Sequence, residues 1–187
     1  MTAGRMGREN GMRAHTPEGD AALALCVERL AARGVGMRAL ATLVCRLQLP
    51  YIPELTLSEC MDSLEAVLAK REVCNALLTG IALDELAERG ALPAPLQGAV
   101  AHDDPLYGID EVLALAVVNI YGSIGFTNFG YLDKVKPGVV GVVDRAGHAD
   151  GRCNTFLDDL IAAIAAAAAA RIAHRQHGST PVDGREG

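Results

Sequence analysis

Two long uncharged segments dominate residues 108–175, which read GIDEVLALAVVNIYGSIGFTNFGYLDKVKPGVVGVVDRAGHADGRCNTFLDDLIAAIAAAAAARIAHR. Acidic side chains interrupt this apolar stretch at three places: Asp110 with Glu111, Asp133 with Asp144, and Asp158 with Asp159. A charge inside an apolar core is costly unless it is paired or bound to a metal. We therefore look for the functional residues of the protein here.

The composition predicts an all-α protein. Half of the 187 residues are apolar, only 4% are aromatic, and there is no Trp. A core of Ala, Leu and Val favours packed helices, because Ala has the highest helix propensity. We expect a single-domain multihelical bundle with a buried Ala-rich C-terminal helix. Residues 1–18 are predicted to be a disordered tail, 19–177 the helical domain, and 178–187 a loose C-terminal tail.

Local signals mark several helices. The first is expected from Asp20 to about Gly34, and another begins after Thr56, where Thr56 and Glu59 form a capping-box pattern. The helix containing residues 72–88 has Gly80 as its weak point. Pro137 and the glycines that follow it predict a loop of about twenty residues before the last helix.

Charge and cysteine content narrow the class of protein. The formal net charge of −6 and the lack of a basic stripe argue against nucleic acid as a partner. The five cysteines include no CxxC pair, and four of them lie in helical patterns among apolar neighbours. Reduced thiols packed in the core of a cytoplasmic protein are the interpretation that fits this pattern.

One segment, Val112–Leu132, is a run of 21 uncharged residues, which is about the length that crosses a bilayer. Its polar residues and glycines make it less apolar than a spanning helix, so we interpret it as a buried central helix. Leu160–Ala170 is too short to span, and Ala21–Val27 is too short for a signal peptide. We expect no transmembrane span and a cytoplasmic location.

Each acidic pair has a structural alternative. Asp110 and Glu111 lie in the first turn of a helix, where negative charge also stabilises the helix dipole. Asp158 completes a capping-box pattern that starts at Thr155. Asp159 lies one position further into an apolar helix and has no such role, so it is a stronger functional candidate.

The acidic residues lie beside Lys and Arg, and no His or Cys residues are spaced as metal ligands. This pattern matches a Mg²⁺ site for phosphate chemistry, in which carboxylates hold the metal and the Lys and Arg side chains hold phosphate oxygens. His148 and His174 could act as general acids or bases, but neither lies in a recognisable constellation. A surface role fits both histidines better. Asp133, Asp144 and Asp150 in the predicted loop could equally form surface salt bridges.

The order of these motifs resembles the phosphatidylglycerophosphatase A family. The motifs are Asp110-Glu111, Phe129, Asp133 with Lys136-Pro137, Asp144-Arg145, and Asp158-Asp159 with Ala162. Residues 20–175 are most similar to the soluble YutG-like branch of that family in bacteria, which is all-helical. LTLSEC, KREVCNALLTGIALDELAE and LYGIDE carry this closer match.

The resemblance implies a Mg²⁺-dependent phosphatase that converts phosphatidylglycerophosphate to phosphatidylglycerol and phosphate, with Mn²⁺ as a possible substitute. It implies Asp159, Glu111 and Asp133 as catalytic residues, and Lys136 as a phosphate contact, to which we add Arg145. The implied metal ligands are Asp110, Glu111, Asp133, Asp158 and Asp159.

The chain also departs from the family. Membrane-bound members have several spanning helices and a Gly/Pro-rich N-terminal motif, and they commonly carry an arginine where this chain has Gly130. The substrate could therefore be a lipid at the inner membrane face or a soluble phosphate ester. The alternative is a non-catalytic helical module that binds a divalent ion or a partner. The Ala-rich helix also suits subunit packing, so we expect a homo-oligomer.

Overall fold

The structure, a computed structural model, describes residues 17–147 and 151–178, and in these residues it contains helices and no strand. The predicted all-α fold is confirmed. The predictions for residues 1–16 and 179–187, and for Asp150 and His148, fall outside the described residues. The first helix begins at Pro17, three residues before the predicted start.

The helices run as follows: α1 Pro17–Ala32, α2 Met37–Gln48, α3 Leu57–Leu68, α4 Arg71–Glu88, α5 Leu96–Ala101, α6 Ile109–Val118, α7 Gly122–Val135, α8 Val139–Gly147 and α9 Leu157–Gly178.

The Ala-rich helix α9 is the centre of the fold. Every residue from Cys153 to Ala170 is buried, and α9 contacts α2, α3, α4, α6, α7 and α8. Alanine side chains allow the surrounding helices to approach closely, and α9 therefore buries all of its faces rather than one stripe. Because these alanines pack within one chain, they cannot also form the subunit interface for which the sequence suggested them.

The predicted buried helix over Val112–Leu132 is wrong in two respects. The segment forms two helices, α6 and α7, separated by the 3₁₀ turn Asn119–Tyr121. Gly122 follows the turn with φ 68° and ψ −159°, a conformation that a side chain would oppose. Both helices pack one side on α9 and leave apolar residues exposed on the other, among them Val112, Phe126 and Tyr131.

Among residues 17–147 and 151–178, one helical segment, Ile109–Val135, is long and apolar enough to cross a membrane by length and composition. An 18-residue window within it has a mean hydropathy of 1.5, and 33% of that window is buried. This is weak support for a span, because a core helix of a soluble protein passes the same test. The break between α6 and α7 further interrupts the segment.

The loop predicted after Pro137 instead contains α8. Its valines have modest helix propensity, but Val140 and Val143 are buried, and this packing overrides the local preference. By contrast, the capping box of α3 is confirmed. The Thr56 hydroxyl accepts the Glu59 N–H, and the Glu59 carboxylate accepts the Thr56 N–H at 2.8 Å.

Gly80 is a contact point rather than a weak point of α4. A Cβ added there would overlap the Leu160 side chain and lie 2.9 Å from Phe156 Cβ. The glycine therefore lets α4 approach the start of α9 closely. This approach brings α4 side chains to the N-terminus of α9.

Candidate acidic site

Three helix ends bring the predicted carboxylates together. Asp110 and Glu111 lie in the first turn of α6, Asp133 lies near the end of α7, and Asp158 and Asp159 lie in the first turn of α9. Asp159 interacts electrostatically with Asp110, Asp133 and Asp158, and Glu111 interacts with Asp110 and Asp133. Residues far apart in the sequence thus form one acidic cluster.

Asp159 is the most strongly perturbed member of this cluster. It is only 6% exposed, and its pKa is raised far above the ordinary range of an aspartate. Burial is the main cause, followed by the negative charges of Asp158, Asp133 and Asp110. Asp159 thus holds a proton more readily than an exposed aspartate does.

Asp158 has a different environment, because Lys136 neutralises it. The Lys136 Nζ donates to Asp158 Oδ2 at 2.7 Å and to Asp144 Oδ1 at 2.6 Å. Burial raises the pKa of Asp158 to about 6, while Lys136 opposes that shift. Lys136 adopts the left-handed conformation with φ 45° where α7 ends, and this turns the chain towards α8.

Asp110 and Glu111 join the cluster from the first turn of α6. Burial is the main cause of the raised pKa of each, and repulsion by Asp103 adds to both shifts. The Oδ1 atom of Asp110 is buried without a hydrogen-bond partner. A buried carboxylate oxygen without a partner is costly, so it can gain from a cation or a donor that enters the cluster.

Asp103 belongs to the site, although it is not among the residues predicted from the sequence. It has a left-handed backbone with φ 51°, and it interacts electrostatically with Asp110, Glu111 and Asp158. Asp103, Asp144 and Asp158 also line a cavity of about 10 Å³, which is room for one water-sized species. The signal available in the sequence was a second acidic pair, Asp103-Asp104, close before Asp110.

The cluster is not arranged as a ready-made metal site. Within residues 17–147 and 151–178, no group of three Asp, Glu, His or Cys side chains has a geometry that could hold a metal ion. A cation would therefore have to draw these side chains inward by rotation.

Asp84 of α4 caps the N-terminus of α9 from another helix. Its Oδ1 accepts the Phe156 N–H and its Oδ2 accepts the Leu157 N–H, both at 3.1 Å. The capping box predicted at Thr155 is therefore wrong, because the Thr155 hydroxyl instead donates to the Val100 carbonyl at 2.7 Å. A fully buried side chain more than 70 residues away satisfies the free N–H groups of the helix.

A buried network holds Asp84 and the start of α9 in place. Arg33 pairs with Glu88 at 2.8 Å and donates to the Cys153 carbonyl and to Asn154 Oδ1. The Glu88 carboxylate accepts the Cys153 N–H at 2.9 Å. The first turn of α9, which carries Asp158 and Asp159, is thus fixed by Arg33, which directly follows α1, and by Glu88 of α4.

Two other candidate residues from the sequence, Arg145 and His174, lie on exposed helix surfaces. Arg145 is exposed on α8, with its guanidinium beside Gly141. His174 is exposed and lies fifteen residues after Asp159 on α9, roughly 22 Å along the helix axis. His174 is therefore remote from the acidic cluster.

Comparison with known proteins identifies the family. The family model for phosphatidylglycerophosphatase A matches residues 27–174. The chain is 57% identical over 142 residues to the uncharacterized protein YpjQ of Bacillus subtilis, covering 76% of this chain and 78% of that protein. It is 54% identical over 147 residues to the uncharacterized protein YutG of the same organism, covering 79% of this chain and 87% of that protein. The chain belongs to the phosphatidylglycerophosphatase A family.

Solved structures of relatives share the fold. The crystal structure of YpjQ from Bacillus subtilis has a TM-score of 0.81 and 49% identity, with 87% of this chain and 99% of that chain covered. The low temperature requirement C protein from Listeria monocytogenes has a TM-score of 0.79 and 49% identity, with coverage of 88% and 99%. The family suggests a phosphatase-like activity.

Proposed function

We propose that the protein is a Mg²⁺-dependent phosphomonoesterase. The observation that carries this proposal is the convergence of carboxylates from three helix ends, with Asp159 buried among three other negative charges. Such an arrangement has a large electrostatic cost that a divalent cation would relieve. Mn²⁺ takes the same oxygen ligands and is expected to substitute.

The residues of the cluster suit a hard cation, because each offers carboxylate oxygens and the Asp110 Oδ1 lacks a partner. Lys136 already neutralises Asp158, so the other carboxylates have the greater need of a cation. The proposed ligands are Asp110, Glu111, Asp133, Asp158 and Asp159. When bound, Mg²⁺ would supply charge stabilisation to the oxygens of a phosphate ester.

The protein's own side chains have separate roles. Two of the three Lys136 N–H groups bind Asp144 and Asp158, which leaves the third to donate to a phosphate oxygen. Asp159, once deprotonated, is proposed to accept a proton from the attacking water, because its raised pKa makes its carboxylate a stronger base than that of an exposed aspartate. Glu111 and Asp133 are proposed to orient the reacting groups. Arg145, which directly follows Asp144, is proposed to contact a bound phosphate.

The experiment measures phosphate release from a panel of soluble phosphate monoesters and from vesicles that contain phosphatidylglycerophosphate. We expect release that requires Mg²⁺ and that Asp159→Asn abolishes. Asp62→Asn is the matched control, because Asp62 is exposed on α3 and outside the cluster. Equal activity in Asp159→Asn and wild type would contradict the proposed site.

If no substrate releases phosphate although calorimetry shows that Mg²⁺ binds, the result would instead support a non-catalytic metal- or partner-binding module. Gly130 bears on this choice, because the membrane-bound members that the chain resembles commonly carry an arginine at that position. Gly130 is exposed on α7, and a Cβ added there meets nothing within 4 Å.

Gly130→Arg is therefore a second test, directed at the substrate class. If the absent guanidinium is what limits lipid hydrolysis, the variant should release phosphate from vesicles faster while keeping its activity on soluble esters. Gly130→Lys is the control, because lysine carries the charge without the bidentate fork. If neither variant changes the rate of phosphate release from vesicles, the residue at position 130 does not limit lipid hydrolysis.

We further propose a cytoplasmic homo-oligomer that acts at the inner membrane face if its substrate is a lipid. Support comes from apolar side chains exposed on α6 and α7, including Val112, Phe126 and Tyr131, which are 58%, 41% and 51% exposed. Sedimentation velocity across a concentration series should show a species larger than 19.6 kDa. A monomer at every concentration would overturn this part of the proposal.

A further inference from the structure

Two buried cysteine thiols meet at the interface between α2 and α3. Cys45 lies on α2 and Cys60 on α3, and their Sγ atoms are 2.7 Å apart. Both cysteines are free, and the two helices pack directly on each other. A small shift would therefore bring the sulfur atoms to the bonding distance of about 2.05 Å.

The two thiols differ in access. Cys45 is 9% exposed, whereas Cys60 is fully buried. Burial and the neighbouring Cys45 raise the pKa of the Cys60 thiol, so Cys60 stays protonated in the resting protein. A small oxidant would thus reach Cys45 first and leave Cys60 available as the second thiol.

The other cysteines have different surroundings. Cys26 and Cys74 are neighbours, but their thiols also approach the backbone carbonyls of Leu68 and Ala22 at 3.9 and 3.8 Å. Cys153 lies against Asp84 and the Val100 carbonyl. The Cys45 thiol likewise lies 4.0 Å from the Thr56 carbonyl, so the 2.7 Å separation between the two Sγ atoms is what distinguishes Cys45 and Cys60.

We propose that Cys45 and Cys60 form an oxidation site, at which a peroxide converts the thiol pair into a disulfide that joins α2 to α3. The Cys45 thiol attacks one peroxide oxygen, the O–O bond breaks, and a sulfenic acid and one water form. The Cys60 thiol then displaces the sulfenic hydroxyl, so that an S–S bond and a second water form. Two thiols lose two electrons in total, and hydrogen peroxide is reduced to two waters.

The bond would close the connection between α2 and α3 without altering the acidic cluster. α3 meets the far half of α9, where the Ser63 hydroxyl donates to the Ala168 carbonyl at 2.9 Å. The closed segment includes Gln48, Tyr51 and Ile52, which line a cavity of about 410 Å³. We expect the oxidised protein to melt roughly 5 °C or more above the reduced protein, because a cross-link of this loop length restricts the unfolded chain.

The experiment treats the reduced full-length protein with hydrogen peroxide, alkylates the remaining thiols under denaturing conditions, and maps the peptides without reduction. We expect a peptide cross-linked through Cys45 and Cys60, and three alkylated cysteines, which is the five of the chain less the bonded pair. Adding a reductant should restore all five. This mapping uses the wild-type chain, so it does not depend on whether a variant folds.

Two variants test selectivity. Cys26→Ser should still form the cross-link and gain in melting temperature on oxidation, whereas Cys45→Ser should do neither. A cross-link between Cys26 and Cys74 instead would overturn the proposal, as would a sulfinic acid at Cys45 with Cys60 alkylated. Five alkylated cysteines after treatment would overturn it as well.

Discussion

At the residue scale, Asp159 shows how burial and like charges act together on one carboxyl group. Its pKa in the folded protein lies above the value of about 3.9 expected in the unfolded chain. Between these two values the folded state binds more protons than the unfolded state. The free energy of unfolding contributed by this group is therefore full at low pH and decreases as pH rises through that window.

The first prediction concerns Asp159→Asn in the presence of a chelator. The amide is neutral at every pH, so the variant should unfold at the same or a higher urea concentration than wild type at pH 8. Its stability should also fall less between pH 5 and pH 8. Asp62→Asn should follow wild type. A large loss of stability in Asp159→Asn at pH 8 would show that the charge is not costly here.

Asp84 gives the second prediction. Asp84→Ala leaves the Phe156 and Leu157 N–H groups without their acceptor and removes a negative charge near Arg33. We expect a loss of about 2–4 kcal/mol in the free energy of unfolding, measured by urea denaturation. Glu85→Ala is the matched control, because Glu85 pairs with Arg29 at a partly exposed site, and it should cost less than about 1 kcal/mol. Equal losses in the two variants would argue against the cap.

At the element scale, close approach decides where α4 and α9 meet. Gly80 sits against Leu160 and Phe156 with no room for a side chain. Glycine is unfavourable within a helix by roughly 0.5–1 kcal/mol relative to alanine, so its presence here reflects packing rather than helix propensity.

The third prediction compares two helical glycines. Gly80→Ala should destabilise the protein by about 1–3 kcal/mol, because the new methyl group forces Leu160 or the helix itself to move. Gly98→Ala on α5 should be neutral or stabilising, because a Cβ there meets nothing within 4 Å. Thermal denaturation of both variants would test this. A similar gain in both would mean that α4 can move away from α9 at little cost.

At the scale of the whole molecule, the acidic cluster would couple the proposed cation binding to the release of protons. Burial and neighbouring negative charges raise the pKa values of Glu111 and Asp159, and burial is the main cause of the raised pKa of Asp110. A cation needs these groups deprotonated, so its binding must release protons and must strengthen as pH rises.

The fourth prediction is that Mg²⁺ raises the melting temperature of the wild type by more at pH 8 than at pH 6. Calorimetry in two buffers with different ionisation enthalpies should reveal the released protons. Asp159→Asn should lose most of the temperature shift, while Asp62→Asn keeps it. A shift that is independent of pH and of Asp159 would indicate a cation bound elsewhere on the molecule.

Local signals in the sequence predicted part of this structure well. The capping box at Thr56 and the burial of the Ala-rich helix depend on neighbouring residues and on composition, and both are confirmed. The division between α6 and α7 was missed, because hydropathy does not register the backbone conformation of Gly122. Helix α8 was not predicted, because its valines are helical only through tertiary packing, which no local sequence pattern indicates.

For the site, the sequence determined which carboxylates interrupt the apolar helices, because the cost of burying a charge depends on residue type and its immediate neighbours. Only the tertiary structure decided their partners. It joined Lys136 to Asp144 and Asp158, added Asp103 to the cluster, and supplied Asp84 as the cap of α9. These partners come from helices far apart in the chain, and the packing of those helices around α9 decides which of them meet.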